Sequence, residues 1–284
     1  MFQMTISEAL DYIQHALLSS SGEFALPQSE EILCTLTGLT RSSLYLSPGK
    51  LLSDQTVRQI RVIIERMLSD EPLQYILESA YFYNREFLVS PSVLIPRPDT
   101  ETLIETVLKK ESSEHKTFLD IGTGSGIIAC ILTELRPWKS VALDISIGAL
   151  KVAQKNRRSE IAFLCCDLFS ALKPLHQFDF IVSNPPYIKD SLVQELDNSV
   201  KAFEPHLALR GGGDGLNYYR QIAFHGAKYI RGEGHIYCEI GYDQEEQCME
   251  IFKTDGWRNV TVIYDLGNNP RVIAAQVPEF DYGH

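Results

Sequence analysis

The chain has 284 residues and a formal net charge of −11, and hydrophobic residues make up 44% of it against 22% charged residues. This composition excludes an intrinsically disordered chain, and the length allows a domain of about 200 residues beside a smaller one. The excess of acidic residues disfavours nucleic acid, because phosphates repel an acidic surface unless basic groups cluster on it. We therefore expect a protein partner and no direct nucleic-acid partner.

The six cysteines contain no C-x-x-C pair, and no two of the seven histidines are four residues apart. We therefore expect neither a disulfide framework nor a metal site. Residues 1–18 predict an amphipathic helix rather than a signal peptide, and no apolar run is long enough to predict a membrane span. These features predict a cytoplasmic protein without a membrane partner, and we expect a monomer.

Residues 1–70 predict a small helical bundle. Thr5 and Glu8 have the spacing of a capping box at the start of the first helix. A second helix is predicted from Pro27 to Thr37 and a third from Ser53 to Leu68. Two roles stay open for this bundle, which are packing on the larger domain and binding of a partner.

Residues 71–100 predict a hairpin and a proline-rich joint. Aromatic residues on both sides of Asn84-Arg85 indicate a short hairpin that turns at this pair. The segment 95–98 contains two prolines, whose fixed φ angles make the chain stiff. Asp99 or Thr100 is placed to cap the helix that follows.

Residues 101–284 predict an α/β domain, because strands and helices alternate along them. Alternation predicts a mostly parallel sheet, and the absence of a helix between the last two strands predicts a terminal antiparallel hairpin. Seven strands are predicted, at residues 117–121, 140–144, 161–166, 178–183, 234–240, 258–264 and 270–277.

A glycine-rich loop follows the first of these strands and precedes a helix. Glycine allows backbone amides to approach a ligand closely at the positive end of a helix. The spacing is G-x-G-x-G rather than the G-x-G-x-x-G of dinucleotide-binding proteins, so a pyrophosphate ligand is disfavoured. The predicted cofactor-binding residues of this loop are Gly122, Thr123, Gly124, Ser125 and Gly126.

Acidic residues stand at the ends of the next two strands. Asp144 is predicted to accept hydrogen bonds from both hydroxyls of a ribose, a role that would suit NAD equally, and the alternative is a helix cap. Asp167 and Leu168 end the third strand, at the edge expected to frame an adenine ring. The alternative for Asp167 is a simple turn residue.

The fourth strand ends in Asn184-Pro185-Pro186-Tyr187, at a position where open α/β sheets bind ligands. Prolines lack an N–H group, so this rigid turn is rich in acceptors. The Asn184 side-chain oxygen and the Pro185 carbonyl oxygen are predicted to accept from one substrate NH₂ group, on which Tyr187 can stack. Two such acceptors suit methylation of a planar nitrogen, because they hold a poor nucleophile and stabilise the developing positive charge. The alternative is a turn without a catalytic role.

The order Asp-x-Gly-x-Gly-x-Gly, Asp144 and Asn184-Pro185-Pro186-Tyr187 resembles the class I S-adenosylmethionine-dependent methyltransferases. More specifically, nearly the whole chain resembles the bacterial protein-(glutamine-N5) methyltransferases of class 1 peptide chain release factors. The segments that carry this closer resemblance are Glu71–Ile76, Val93–Glu101, Phe203–Pro205 and Asp265–Val272.

The resemblance implies a Rossmann-like fold for residues 101–284, with S-adenosylmethionine held by residues 122–126 and Asp144. It implies that Asn184 touches both cofactor and substrate, and that Asn184, Pro185, Pro186 and Tyr187 hold the glutamine amide. Asn184, Pro185 and Tyr187 are the expected catalytic residues. The implied substrate is the glutamine of the Gly-Gly-Gln motif of a class 1 release factor, which residues 1–70 would help to bind.

Three positions depart from the family pattern. Leu168 stands where an aromatic residue is common, Glu78 where glycine is usual, and residues 196–201 differ from the usual Gly-Asp-Val-Arg. Three alternatives stay open: an adenine-N6 nucleic-acid methyltransferase with the same tetrapeptide, an NAD-dependent oxidoreductase, and a cofactor-binding scaffold without enzymatic activity.

Overall fold

The computed structural model describes residues 4–112 and 114–278. The chain divides into two compact units. The first contains Met1–Glu78 with Asn198–Phe203, and the second contains Ser79–Asp197 with Glu204–His284. The predicted division into three segments stays a prediction.

The first unit is helical, and its core is formed by apolar side chains of several helices. Its first helices are α1 (Ile6–Ser21), α2 (Ala25–Thr37), α3 (Arg41–Leu46), α4 (Asp54–Leu68) and α5 (Leu73–Leu77). The capping box of α1 is confirmed, since the Thr5 amide donates to the Glu8 carboxylate over 2.8 Å and the Glu8 amide donates to the Thr5 hydroxyl over 3.3 Å. Helix α2 begins two residues before the predicted Pro27, because proline is tolerated in the first turn of a helix.

The second unit begins with a two-stranded hairpin, β1 (Ser79–Phe82) and β2 (Arg85–Leu88). Its turn is Tyr83-Asn84, so the prediction of a turn at Asn84-Arg85 is wrong by one residue. Both turn residues have positive φ angles, 51° for Tyr83 and 56° for Asn84. A two-residue hairpin loop of this kind needs positive φ at both positions, and Arg85 is already paired with Phe82 in the strand.

A seven-stranded sheet forms the centre of the second unit, in the order β5-β4-β3-β6-β7-β9-β8. Strands β3 to β7 are parallel, whereas β9 is antiparallel to both β7 and β8. This topology confirms the predicted mostly parallel sheet with a terminal antiparallel hairpin. The strands are β3 (Thr117–Ile121), β4 (Lys139–Asp144), β5 (Ile161–Cys165), β6 (Phe178–Ser183), β7 (Ile230–Glu239), β8 (Arg258–Tyr264) and β9 (Pro270–Gln276).

Strand β7 begins four residues before the predicted residue 234. The sequence signal is weak there because residues 231–234 are polar or glycine and have no apolar alternation. Gly234 is needed in this stretch, since a Cβ atom at that position would clash with the Asp179 carbonyl oxygen. The pairing with β6 is also irregular at this end, between Phe178 and Phe180.

Helices cover both faces of the sheet. Successive side chains of β3 lie on opposite faces and pack in different apolar clusters. Phe118 belongs to one buried apolar cluster and Leu119 to the other. The remaining helices are α6 (Thr100–Lys110), α7 (Ile127–Leu135), α8 (Ile147–Asn156), α9 (Asn198–Phe203, in the first unit), α10 (Asn217–Gly226) and α11 (Glu245–Thr254).

The predicted cap of α6 is wrong, because neither candidate residue caps the helix with its side chain. The Asp99 carboxylate instead lies 3.1 Å from the guanidinium of Arg271. The Thr100 hydroxyl donates to the Glu239 carboxylate over 2.7 Å. Both side chains therefore connect the start of α6 to the sheet.

The order of the strands reverses between β3 and β6. The chain adds β4 and β5 on one side of β3, and then adds β6 and β7 on the other side. Open α/β sheets bind ligands at such a reversal, at the carboxyl ends of the strands. Among the described residues, no helix has the length and apolar character needed to cross a membrane.

Candidate active site

A pocket lies in the second unit at the carboxyl ends of β3, β4, β5 and β6. Two of the predicted site residues, Gly126 and Tyr187, do not line this pocket. The predicted residues that do line it are Gly122, Thr123, Gly124, Ser125, Asp144, Asp167, Leu168, Asn184, Pro185 and Pro186.

The glycine-rich loop takes a backbone conformation that favours glycine. Gly122, Gly124 and Gly126 have φ angles of 71°, 56° and 83°, in the left-handed region that costs other residues about 1–2 kcal/mol. A Cβ atom at Gly126 would lie 3.1 Å from the Cβ atom of Ala153 in α8. Gly126 therefore packs the start of α7 against α8, while the other two glycines line the pocket.

Asp144 connects the glycine loop to the start of α8. Its two carboxylate oxygens accept from the backbone amides of Gly124, over 2.9 Å, and Ser146, over 2.8 Å. Burial raises the pKa of Asp144, and these two hydrogen bonds oppose the rise. The alternative of a helix cap is wrong, since Ser146 is the N-cap and accepts from the amide of Ala149. Each carboxylate oxygen retains capacity for a further hydrogen bond.

Asp120 supports the same loop from below and was not predicted as a site residue, although it is part of the glycine motif. It is fully buried, and it accepts from the Thr123 hydroxyl over 2.6 Å. Burial raises the pKa of Asp120 to about 7, and the negative charge of Asp144 acts in the same direction. The hydrogen bond between Thr123 and Asp120 holds the glycine loop in place beneath the pocket.

Asp167 and Leu168 line another side of the pocket, and their role in framing an adenine ring stays a prediction. Leu168 has a φ angle of 45°, which is rare for a branched residue, and its carbonyl oxygen lies 3.2 Å from the thiol of Cys166. Tyr218 of α10 lines the pocket as well. This aromatic residue was not found from the sequence, because it lies about 50 residues beyond the strand whose edge it faces.

The tetrapeptide after β6 is held by groups from other elements. The Asn184 amide group donates to the Thr100 hydroxyl over 3.1 Å. The Tyr187 carbonyl oxygen accepts from the buried Gln244 side chain over 3.0 Å. The Tyr187 ring packs beside the apolar core, and burial raises the pKa of its hydroxyl. Its predicted stacking on a substrate therefore stays a prediction.

Two further pocket walls are joined through Glu204. Residues 92–94 line the pocket from the joint, and Pro205, Leu207 and Ala208 line it from the segment after α9. The buried Glu204 carboxylate accepts from the Arg97 guanidinium over 2.5 Å and from the Ile95 amide over 3.3 Å. The pairing connects two of the segments that carried the family resemblance in the sequence.

The lining of the pocket fits S-adenosylmethionine better than a dinucleotide. Two carboxylates, Asp144 and Asp167, face it, and no lysine or arginine is among the described residues that line it. This charge suits a sulfonium cation and offers nothing to a pyrophosphate. A Cβ atom at Gly122 would lie 4.0 Å from the Asn184 carbonyl oxygen, so the loop and the tetrapeptide form adjoining walls. The described residues contain no cluster suited to a metal ion.

Two family models match the chain. The model of the PrmC N-terminal domain matches residues 8–77, and that of the methyltransferase small domain matches residues 98–207. A solved structure of a methyltransferase from Pyrococcus furiosus, 16% identical, has a TM-score of 0.53 and covers 79% of this chain and 100% of its own. This likeness concerns the fold alone.

Two curated relatives match almost end to end. The release factor glutamine methyltransferase of Koribacter versatilis is 37% identical over 97% of this chain and 99% of the relative. That of Thermodesulfovibrio yellowstonii is 36% identical over 95% of this chain and 98% of the relative. These matches confirm the resemblance on which the sequence prediction depended. The chain therefore belongs to the family of release factor glutamine methyltransferases.

Proposed function

We propose that the chain transfers a methyl group from S-adenosylmethionine to the side-chain amide nitrogen, N5, of the glutamine in the Gly-Gly-Gln motif of class 1 release factors. As a member of its family, it is an S-adenosylmethionine-dependent protein-glutamine methyltransferase. The observation that carries the proposal is the shared pocket of the glycine loop, Asp144 and Asn184-Pro185-Pro186. A methyl donor on the loop would lie beside the acceptors for an amide.

Residues 122–125 and Asp144 are the proposed cofactor-binding groups. Gly122 and Gly124 allow close approach of the backbone, and the Asp144 carboxylate is oriented by two backbone amides. Asp167 and Leu168 are proposed to contact the adenine together with Tyr218. When bound, S-adenosylmethionine supplies an electrophilic methyl group on its sulfonium.

Asn184 and Pro185 are the proposed catalytic acceptors, with Pro186 and Tyr187 completing the substrate site. An amide nitrogen is a poor nucleophile, because its lone pair is delocalised into the carbonyl group. Two fixed acceptors orient the substrate NH₂ group and stabilise the positive charge that develops during transfer. The segment is suited to this task because the prolines restrict its backbone and Gln244 holds its last carbonyl group.

The first unit is proposed to contact the release factor. The PrmC N-terminal domain match covers most of it, and it carries large apolar side chains that are exposed, among them Phe24, Tyr45 and Leu46. Exposed apolar side chains of this kind are typical of protein-binding surfaces. The proposed compartment is the cytoplasm, where translation ends, and the monomeric state stays a prediction.

The test is transfer of label from radioactive S-adenosylmethionine, with three acceptors in separate reactions. These are a purified class 1 release factor, the same factor with its Gly-Gly-Gln glutamine changed to asparagine, and double-stranded DNA. Label is expected in the unchanged factor alone. Equal labelling of the altered factor would refute the proposed target, and label in DNA would favour the adenine-N6 alternative.

A further inference from the structure

Three elements of the second unit meet behind the Asn184 side chain. Thr100 is the first residue of α6, Asn184 follows β6, and Glu239 ends β7. The two strands are parallel neighbours in which Ser183 pairs with Cys238, so Asn184 and Glu239 are the next residues along each strand. Thr100 and Glu239 are buried, with exposed fractions of 2% and 0%.

The three side chains form a directed chain of hydrogen bonds. The Asn184 Nδ2 group donates to Thr100 Oγ1 over 3.1 Å, and Thr100 Oγ1 donates to Glu239 Oε2 over 2.7 Å. An ionised carboxylate can only accept, so the single hydroxyl proton of Thr100 is committed to Glu239. The Thr100 oxygen is then an acceptor, and it selects the NH₂ end of the Asn184 amide. The amide oxygen of Asn184 is left for another donor.

This selection matters because the two ends of an asparagine amide have nearly the same shape and opposite hydrogen-bonding character. With the oxygen toward the pocket, Asn184 accepts from a substrate NH₂ group. With the amide reversed, two NH₂ groups would face each other, and neither the orientation nor the charge stabilisation of the substrate nitrogen would be available.

We propose that Thr100 and Glu239 are positioning residues, which set the orientation of the Asn184 amide so that its oxygen accepts from the substrate amide. This inference rests on the proposed function and adds to it the residues that orient its central acceptor. Neither residue needs to touch the transferred methyl group. Thr100 lines the pocket, whereas Glu239 lies behind it and interacts with Asn184 both through Thr100 and directly.

The negative charge of Glu239 determines the direction of the hydrogen bonds from Asn184 to Thr100 and from Thr100 to Glu239. Several groups close to the Glu239 carboxylate affect that charge. Burial raises the pKa of Glu239 to about 7, whereas the hydrogen bonds from Thr100 and Asn184 and the charge of Arg271 lower it. Asp99 raises it, and the hydroxyl groups of Tyr187 and Tyr219 are also close. A protonated Glu239 can donate to Thr100, which then can donate to Asn184 and stabilise the reversed amide. Activity should therefore fall as the pH falls through about 7.

The test compares the full chain with T100V, T100S and E239Q, using steady-state methylation of a release factor at saturating S-adenosylmethionine. T100V keeps the shape of the residue and removes its hydroxyl, whereas T100S keeps the hydroxyl. We expect T100V to lower kcat about tenfold or more, with KM for the release factor and Kd for S-adenosylmethionine changed less than about threefold. T100S should retain kcat within about threefold.

E239Q adds a readout that a structural role would not change. A glutamine can donate or accept toward Thr100 at any pH, so E239Q should have a lower kcat and should lose the acid limb of the profile of log kcat against pH. The same release factor in each profile removes contributions from its own titrating groups. Thermal unfolding followed by circular dichroism identifies any variant that fails to fold.

A readout without turnover is the side-chain NH₂ signal of Asn184 in ¹H–¹⁵N NMR, assigned by its loss in N184A. We expect slow hydrogen exchange in the unmodified chain and fast exchange in T100V. Unchanged exchange or unchanged kcat in T100V, a T100S variant as slow as T100V, or an acid limb that persists in E239Q would each overturn the inference. Failure of the unmodified chain to methylate the release factor would instead refute the proposed function, and the NMR result would still decide the orientation of Asn184.

Discussion

Replacement of Asp144 by asparagine tests how the cofactor site is organised. The carboxylate accepts two backbone hydrogen bonds at once, from Gly124 over 2.9 Å and from Ser146 over 2.8 Å. Asparagine has the same shape but only one acceptor oxygen, so it can satisfy one of these amides and must direct its own NH₂ group at the other. The substitution therefore disturbs either the glycine loop or the start of α8.

The size of the effect follows from these contacts. Loss of a hydrogen bond to a charged acceptor, with a backbone donor left facing another donor, costs about 1.5–3 kcal/mol. The proposed hydrogen bonds to the ribose hydroxyls weaken as well, because the charge that strengthens them is removed. A factor of ten in Kd corresponds to about 1.4 kcal/mol, so Kd for S-adenosylmethionine should rise roughly ten- to a hundredfold in Asp144→Asn.

Isothermal titration calorimetry with the unmodified chain and Asp144→Asn measures this change directly. Asp167→Asn is the matched control, since it removes one charge from the same pocket and Asp167 forms no hydrogen bond with the described part of the glycine loop. We expect a smaller effect from the control. Unchanged affinity in Asp144→Asn would refute the assignment of Asp144, and equal weakening in both variants would contradict the special role given to its two backbone hydrogen bonds.

Four further predictions concern separate parts of the chain. Asn184→Ala should lower kcat by roughly 10²-fold in steady-state assays, as expected for loss of one group that stabilises the transition state, and near-normal turnover would contradict the proposed mechanism. Tyr218→Ala should weaken S-adenosylmethionine about tenfold by calorimetry while Tyr218→Phe retains affinity, if the ring contacts the adenine. Gly126→Ala should destabilise the fold by about 2 kcal/mol or more in urea unfolding, because of its φ angle of 83° and the Ala153 Cβ atom 3.1 Å away, and an unchanged midpoint would be inconsistent with this packing. For Glu111, burial raises the pKa, but hydrogen bonds from three side chains lower it from 4.5 to about 2. Because its pKa is lowered on folding, the contribution of Glu111, at most about 3 kcal/mol, is present above pH 4.5 and is lost as the pH falls to about 2. Glu111→Gln should reduce that loss in urea unfolding at a series of pH values, and an identical pH dependence in the variant would show that other groups cause it.

The features that the sequence predicted well have local causes. The capping box of Thr5 and Glu8 lies within four residues, and β3 to β6 are short apolar runs followed by glycine, acidic or proline residues. A ligand-binding edge follows from the alternation of strands and helices, which brings the carboxyl ends of parallel strands together. The sequence alone therefore predicts that the glycine loop, Asp144 and Asn184 meet at one edge of the sheet, where they line one pocket.

The features that were missed depend on pairing between distant parts of the chain. Thr100 and Glu239 are 139 residues apart, and they meet because α6 packs against β7. Thr100 looks like a helix cap in the sequence, since a threonine before an apolar helical pattern gives the same local signal whether it caps or turns inward. Gln244, which holds the Tyr187 carbonyl group, likewise has no local signal.

The hairpin turn was misplaced for a different reason. Asn84 was correctly included, but the choice between Tyr83 and Arg85 as its partner depends on the register of β1 and β2. A tyrosine with a positive φ angle is unusual, so local preference does not predict it. In the structure Phe82 pairs with Arg85, which leaves Tyr83 and Asn84 as the two turn residues.

The central claim is that this pocket methylates the glutamine of a release factor, and the most direct measurement is the position of the methyl group. A purified class 1 release factor would be incubated to completion with the full chain and S-adenosylmethionine, and its peptides would be analysed by tandem mass spectrometry. The account predicts one added methyl group on the side-chain nitrogen of the Gly-Gly-Gln glutamine, absent when Asn184→Ala replaces the unmodified chain over the same time. A methyl group on another residue, or none on the release factor while S-adenosylmethionine still binds, would contradict it.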